Sequence, residues 1–114
     1  MRIFAAICAY ILIGYAWAFV YAVFDELHPN SFTIPIEIAR NDYLGRVVQM
    51  RYFSFITLAT VGYGDIVPRS PGAQTLVILE AIVGQFYLVA LIGRLVGLHI
   101  VHGTASGSGA QDTR

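Results

Sequence analysis

The chain has 114 residues, 57% of them hydrophobic and only 12% charged, with seven basic and seven acidic residues and a formal net charge of +0. Average soluble domains carry roughly twice that share of charge, and a small domain buries too little surface to hide so much apolar area from water. A mean hydropathy of +0.67 therefore excludes a disordered chain and argues against an ordinary cytosolic enzyme, and the absent net charge leaves no field to attract nucleic acid. The single cysteine, Cys8, is too few for an intrachain disulfide or a structural zinc site. The composition points to a lipid bilayer.

Residues 3–24 form an uncharged apolar run of 22 residues that predicts a first membrane helix. At 1.5 Å per residue it spans about 33 Å, enough for a hydrocarbon core of about 30 Å. A secretory signal is the alternative, since Arg2 precedes the run and Ala16-Trp17-Ala18 resembles a cleavage site. The run exceeds the about 7–15 apolar residues of such signals. Asp25-Glu26 is expected to end the helix, and residues 25–42, with Asn30, Ser31, Pro29 and Pro35, read as an irregular loop. Asn41-Asp42 is a capping signal for a short amphipathic helix over about 43–58. That helix is too short and polar to cross a membrane, and the glycine-rich stretch after it reads as the return limb of a re-entrant loop. Such backbone persists at membrane depth only where protein or a water-filled cavity shields it. Pro71-Gly72 then introduces a second apolar helix over about 73–101, interrupted by Glu80 and Arg94. Residues 103–114, GTASGSGAQDTR, have linker composition and are expected to be disordered. The domain is thus placed at 1–102.

The return limb is Thr57-Leu58-Ala59-Thr60-Val61-Gly62-Tyr63-Gly64-Asp65. It resembles the selectivity-filter signature TxxTVGYGD of potassium channels, and the surrounding order resembles the two-transmembrane, one-pore-loop members of that family. The likeness covers roughly residues 3–101. It implies an all-α membrane protein with an outer helix, a re-entrant pore helix, an extended filter and an inner helix, assembled as a homotetramer around a central pore. It further implies passive conduction of K+, no catalytic site, no cofactor, and no partner beyond lipid and other copies of the chain, neither nucleic acid nor a small-molecule substrate. Location in the bacterial inner membrane with both termini cytoplasmic follows from the same resemblance.

A potassium ion must exchange its water for other oxygens, and the carbonyls of Thr60, Val61, Gly62 and Tyr63 can supply them if all face one axis. That requires a backbone alternating between left- and right-handed conformations, which Gly62 and Gly64 permit. Asp65 is expected at the outer mouth, either concentrating cations or bonding near Tyr52. Tyr52, Phe53 and Thr57 are expected to support the filter, with the two rings bracing Tyr63.

On the inner helix, Gln85, Leu88, Val89 and Ile92 resemble the cavity-lining stripe and share one face by their spacing. Glu80 lies about 140° around the wheel from Gln85 and is expected to point away from the pore, bonding to backbone or hydroxyls of the pore helix. An intramembrane acid is otherwise a functional candidate. Gly84 matches the hinge glycine of the family, with close helix packing as the competing explanation, and Gly93 and Gly97 favour packing. His99 and His102 read as a solvated helix end, a pH gate being the alternative. Arg40, Arg46, Arg51 and Arg69 would by the positive-inside rule put the central loop in the cytoplasm, against the outer location that the resemblance implies. No arginine-rich helix suggests a voltage sensor. The alternatives are a modulatory subunit of a larger channel, a weakly selective cation channel, and a membrane scaffold whose GYG loop is incidental.

Overall fold

The computed structural model describes residues 2–34 and 42–107, with the side chains of 105–107 left out. Its elements in order are α1 (Arg2–Leu27), β1 (Phe32–Thr33), α2 (Tyr43–Leu58), β2 (Val67–Pro68) and α3 (Pro71–Gly107). By length and apolar content, α1 and the Pro71–Thr104 portion of α3 are candidate membrane spans. α2 is the short helix between them.

α1 does not stop at Phe24. It continues through Asp25 and Glu26 to Leu27, and His28 N–H still bonds to Phe24 C=O at 2.9 Å. Asp25 is buried there because Arg46 of α2 reaches it at 3.2 Å, so the charge expected to end the helix is neutralised by a partner instead. Gly14, Ala18, Tyr21 and Asp25 form the buried stripe of α1, at the three- and four-residue spacing of one helix face.

The segment after α1 is more ordered than its composition suggests. Asn30 takes a left-handed φ of 67°, and Phe32–Thr33 then pairs antiparallel with Val67–Pro68, placing Phe32 opposite Pro68 and Thr33 opposite Val67. Pro68 is tolerated because a two-strand pair has only edge strands. Ser31 C=O also accepts from Arg69 N–H at 2.7 Å, so this loop is tied to the chain leaving the filter.

Asp42 is the N-cap of α2, in extended conformation, with its side chain accepting from Leu44 N–H at 3.3 Å. Asn41, Pro35, Glu37 and Arg40 lie outside the described residues. The core sits where α1, α2, α3 and the paired loop meet: Tyr21, Phe32, Met50, Phe53, Ile56, Ile66 and Ala73. Tyr21, Phe32 and Phe53 form a triangle of edge-on rings with centroids 5.3–5.5 Å apart, the geometry aromatic quadrupoles favour. Outside this core, large apolar side chains such as Phe4, Phe19, Phe86 and Ile92 are exposed along both long helices. That is the surface a bilayer or a neighbouring chain covers.

α3 is 37 residues long and runs through Gly107, into the stretch whose composition suggested disorder. At about 55 Å it exceeds the hydrocarbon core by more than half its thickness. Residues 108–114 lie outside the described residues.

Candidate functional site: the pore helix and the loop that follows it

The last four carbonyls of a helix have no partner within it, and their fate decides how the helix ends. In α2 all four are satisfied inside the chain. Phe55 C=O accepts from Ala59 N–H at 3.0 Å and Thr57 C=O from Thr60 N–H at 3.0 Å. Ile56 C=O accepts from both Val61 N–H at 2.8 Å and Gly62 N–H at 3.2 Å. Leu58 C=O accepts from the Tyr10 hydroxyl of α1 at 3.1 Å. The start of the loop is therefore anchored by its own N–H groups to the end of the helix.

From there φ is positive at Thr60 (57°), Gly62 (53°) and Gly64 (80°). Every second residue is left-handed, the alternation that turns successive carbonyls toward one side. The two glycines do what their lack of a side chain permits, and a Cβ on either would meet nothing within 4 Å, so only backbone conformation selects glycine there. Thr60 adopts the same region with a side chain, which the sequence does not announce; its hydroxyl bonds back to Ala59 C=O at 2.7 Å. Among the described residues, the carbonyls of Thr60, Val61, Gly62 and Tyr63 accept no hydrogen bond. Residues 60–64 are all exposed in the single chain, Val61 at 50% and Tyr63 at 72%. Buried backbone carbonyls need a partner, so once other copies or lipid cover this loop its four free carbonyls require a ligand to replace water.

The return from this loop is held by Asp65. Its Oδ2 accepts from the Tyr52 hydroxyl at 2.8 Å and its Oδ1 from Ile66 N–H at 3.0 Å. The bond to the carboxylate favours the neutral phenol and raises the Tyr52 pKa. Thr57 is half-buried and contributes its carbonyl to the anchor. Phe53 lies elsewhere than expected: it faces Tyr21 and Phe32 in the core, so within one chain it does not brace Tyr63. Tyr63 makes no ring contact among the described residues.

On α3, Gln85, Val89 and Ile92 are exposed and Leu88 is half-buried, while Glu80 is fully buried on another face. Glu80 Oε2 accepts from the Tyr21 hydroxyl at 2.5 Å, and its Oε1 lies 2.5 Å from Ser54 Oγ. Ser54 Oγ is also 2.8 Å from Gly14 C=O. Three helices thus meet at one carboxyl group. Gly84 lies one turn further along α3, where a Cβ would stand 2.6 Å from the carbonyl oxygen of Leu58. Close packing against the pore helix accounts for this glycine. A Cβ on Gly93 or Gly97 would meet nothing within 4 Å, so among the described residues they pack against no neighbour.

The sequence reading missed Tyr10, Tyr21, Ser54 and Arg46. A signal existed: Tyr10, Gly14, Ala18, Tyr21 and Asp25 recur at helical spacing along one face of an otherwise apolar run.

Two membrane-length helices, a short capped helix and an anchored loop of alternating handedness define the pore module of an ion channel. The chain belongs to the ion channel family, whose model matches residues 30–98. It is 35% identical over 69 residues to the inward rectifier potassium channel Kirbac3.1 of Paramagnetospirillum magnetotacticum, a match covering 60% of this chain and 23% of that protein. It is 44% identical over 45 residues to two-pore potassium channel 4 of Arabidopsis thaliana, covering 40% of this chain and 16% of that protein. The potassium channel protein kcv of Paramecium bursaria Chlorella virus 1 is 32% identical over 74 residues, covering 62% of this chain and 78% of the viral protein. The chain thus spans under a quarter of the first two relatives and most of the third.

Proposed function

We propose that this chain is the subunit of a potassium-selective channel that conducts K+ passively through a tetrameric pore. The observation that carries the reading is the loop at residues 60–64, with φ positive at every second position and four successive carbonyls without a partner. Four such loops around an axis stack rings of oxygens that replace the water a potassium ion sheds. One loop offers only a quarter of each ring, so conduction requires the other copies. The names of the matched relatives support potassium as the permeant ion.

In this assembly Thr60, Val61, Gly62 and Tyr63 bind the ion through backbone oxygens, and Gly64 completes the alternation. Asp65 stands at the outer mouth, held by Tyr52. Gln85, Leu88, Val89 and Ile92 line the cavity below. The end of α2 faces that cavity with its carbonyls already bonded, so a cation there feels the field of the helix rather than a bare carbonyl. No cofactor or catalytic step is involved, and the protein sits in the bacterial inner membrane with the filter outward and both termini cytoplasmic.

The test is ion flux into liposomes carrying the purified chain alone, with potassium and sodium run side by side and barium as blocker. Barium-sensitive, potassium-selective flux together with a tetrameric mass supports the reading. Equal sodium and potassium flux overturns the selectivity. A tetramer without flux favours a modulatory subunit, and a monomer without flux removes the channel.

A further inference from the structure

We infer that Glu80 is held as the neutral carboxylic acid, and that in this form it donates to Ser54 and completes the chain of hydrogen bonds that ties the pore helix to both spans. Three oxygen–oxygen contacts meet around this group: Tyr21 Oη to Glu80 Oε2 at 2.5 Å, Ser54 Oγ to Glu80 Oε1 at 2.5 Å, and Ser54 Oγ to Gly14 C=O at 2.8 Å. A carbonyl and a carboxylate are acceptors only, and each hydroxyl brings one proton. Two hydroxyls fill three contacts only if Ser54 shares one proton between two acceptors, a weaker arrangement than three full bonds. Tyr21 fills the first. If Ser54 donates to Glu80, its contact with Gly14 C=O has no proton, and if it donates to Gly14, its contact with an ionised Glu80 sets lone pairs against lone pairs. One additional proton, on Glu80 Oε1, fills all three. Glu80 then donates to Ser54 Oγ, Ser54 donates to Gly14 C=O, and Tyr21 donates to Oε2.

The surroundings agree. Glu80, Ser54 and Tyr21 each have 0% of their surface exposed. No cation pairs with Glu80 among the described residues, where the ion pair present is Arg46 with Asp25. The titratable groups on the buried side of α1 are Tyr10, bonded to Leu58, Tyr21, and Asp25 with its arginine partner. From α2 the facing group is the uncharged Ser54, and Arg51 is exposed. On α3 the nearest other charge is Arg94, also exposed and fourteen positions on, while Arg69 after β2 is exposed as well. An ionised carboxylate in such a place is costly without a partner, whereas a neutral acid with every contact filled is not. Glu80 is then a positioning residue. Its bond to Ser54, one turn before Leu58, and the contact of Gly84 with Leu58 together fix how deep the end of α2 sits.

The inference rests on packing inside one chain, and its readout does not depend on which ion passes. The full chain in lipid vesicles is compared with Glu80→Gln by infrared difference spectroscopy at neutral pH. The expected result is the carbonyl stretch of an un-ionised acid in the wild type, absent from Glu80→Gln. A carboxamide reproduces one donor and one acceptor, so Glu80→Gln keeps the thermal midpoint and flux within about twofold, while Glu80→Ala loses both. A carboxylate band for Glu80 at neutral pH overturns the inference, and so does a Glu80→Gln protein that is as unstable as Glu80→Ala.

Discussion

The two ends of α3 make a useful contrast. Its first half passes Ala73 and Glu80, both fully buried, and Gly84, which touches the backbone of the pore helix. Its second half leaves Ile100 and Val101 more than 60% exposed, and Gly93 and Gly97 meet no neighbour among the described residues. One helix of nearly uniform apolar composition therefore does two jobs. Near the filter it is part of a packed core with filled hydrogen bonds. Further along it presents a surface whose only available cover is lipid or another copy. Within one chain, the buried contacts of this helix lie beside the end of α2 and the 60–64 loop, and its far end is exposed.

The sharpest way to break this contrast is at the loop itself. Gly62→Ala places a side chain at φ 53° with open space around it, so the cost of about 1–2 kcal/mol is purely conformational. In the proposed four-copy ring that strain is counted four times. Potassium flux is expected to fall by more than about tenfold with helix content unchanged, a factor that one such increment already supplies. Unchanged flux would show that the left-handed turn at this position is dispensable.

A matched pair of alanine substitutions along α3 then separates its two halves. Gly84→Ala drives a methyl group to 2.6 Å from the Leu58 oxygen, and the backbone there has no cheap way to move. Overpacking of this kind costs about 1–3 kcal/mol, so the thermal midpoint of the assembly is expected to drop. Gly93→Ala meets nothing inside the chain and gains helix propensity of up to about 1 kcal/mol. If Gly93→Ala proves the more damaging, the exposed face near it is a tight contact between copies.

How much of this was legible beforehand depended on whether the information is local. The spans, the Asp42 cap and the 60–65 loop are written in consecutive residues or one helical period. Positive φ at Thr60 was not legible, because threonine ordinarily avoids that region and only the three-dimensional anchor at Ile56 and Thr57 holds it there. The continuation of α1 through Asp25 was hidden for a related reason: its partner Arg46 is 21 positions away. The expectation for Glu80 reached the right helix and the right kind of group, a pore-helix hydroxyl, but not Tyr21, whose contribution comes from the other span. Phe53 was expected to brace Tyr63; within one chain it faces Tyr21 and Phe32, because Phe32 arrives from the loop pairing.

Tyr21→Phe tests that long-range closure with little change in volume. It leaves Glu80 Oε2 buried without its donor, and stranded buried acceptors cost about 1–3 kcal/mol. A lower thermal midpoint than wild type is expected, smaller in effect than Gly84→Ala if the cavity admits a water. A midpoint equal to wild type would mean that Ser54 alone secures the carboxyl group.

The smallest effect belongs to the exposed end of the same core. Tyr52 donates to Asp65, and the raised pKa of its phenol fixes the sign of the pH dependence. A group that gains protons on folding stabilises the structure fully below its unfolded pKa, near 10 for tyrosine, and loses that contribution as pH rises through the higher folded value. The bond is therefore intact at neutral pH and fails in alkali. Tyr52→Phe is expected to leave neutral-pH stability nearly unchanged, since the pair is open to solvent and screened. What it removes is the alkaline loss: between the ordinary and the raised phenol pKa, wild type should soften at the loop return while the variant shows no added slope. Measured as potassium selectivity against pH, identical curves for the two proteins would show that Asp65 is held by Ile66 N–H alone and that the tyrosine is a bystander.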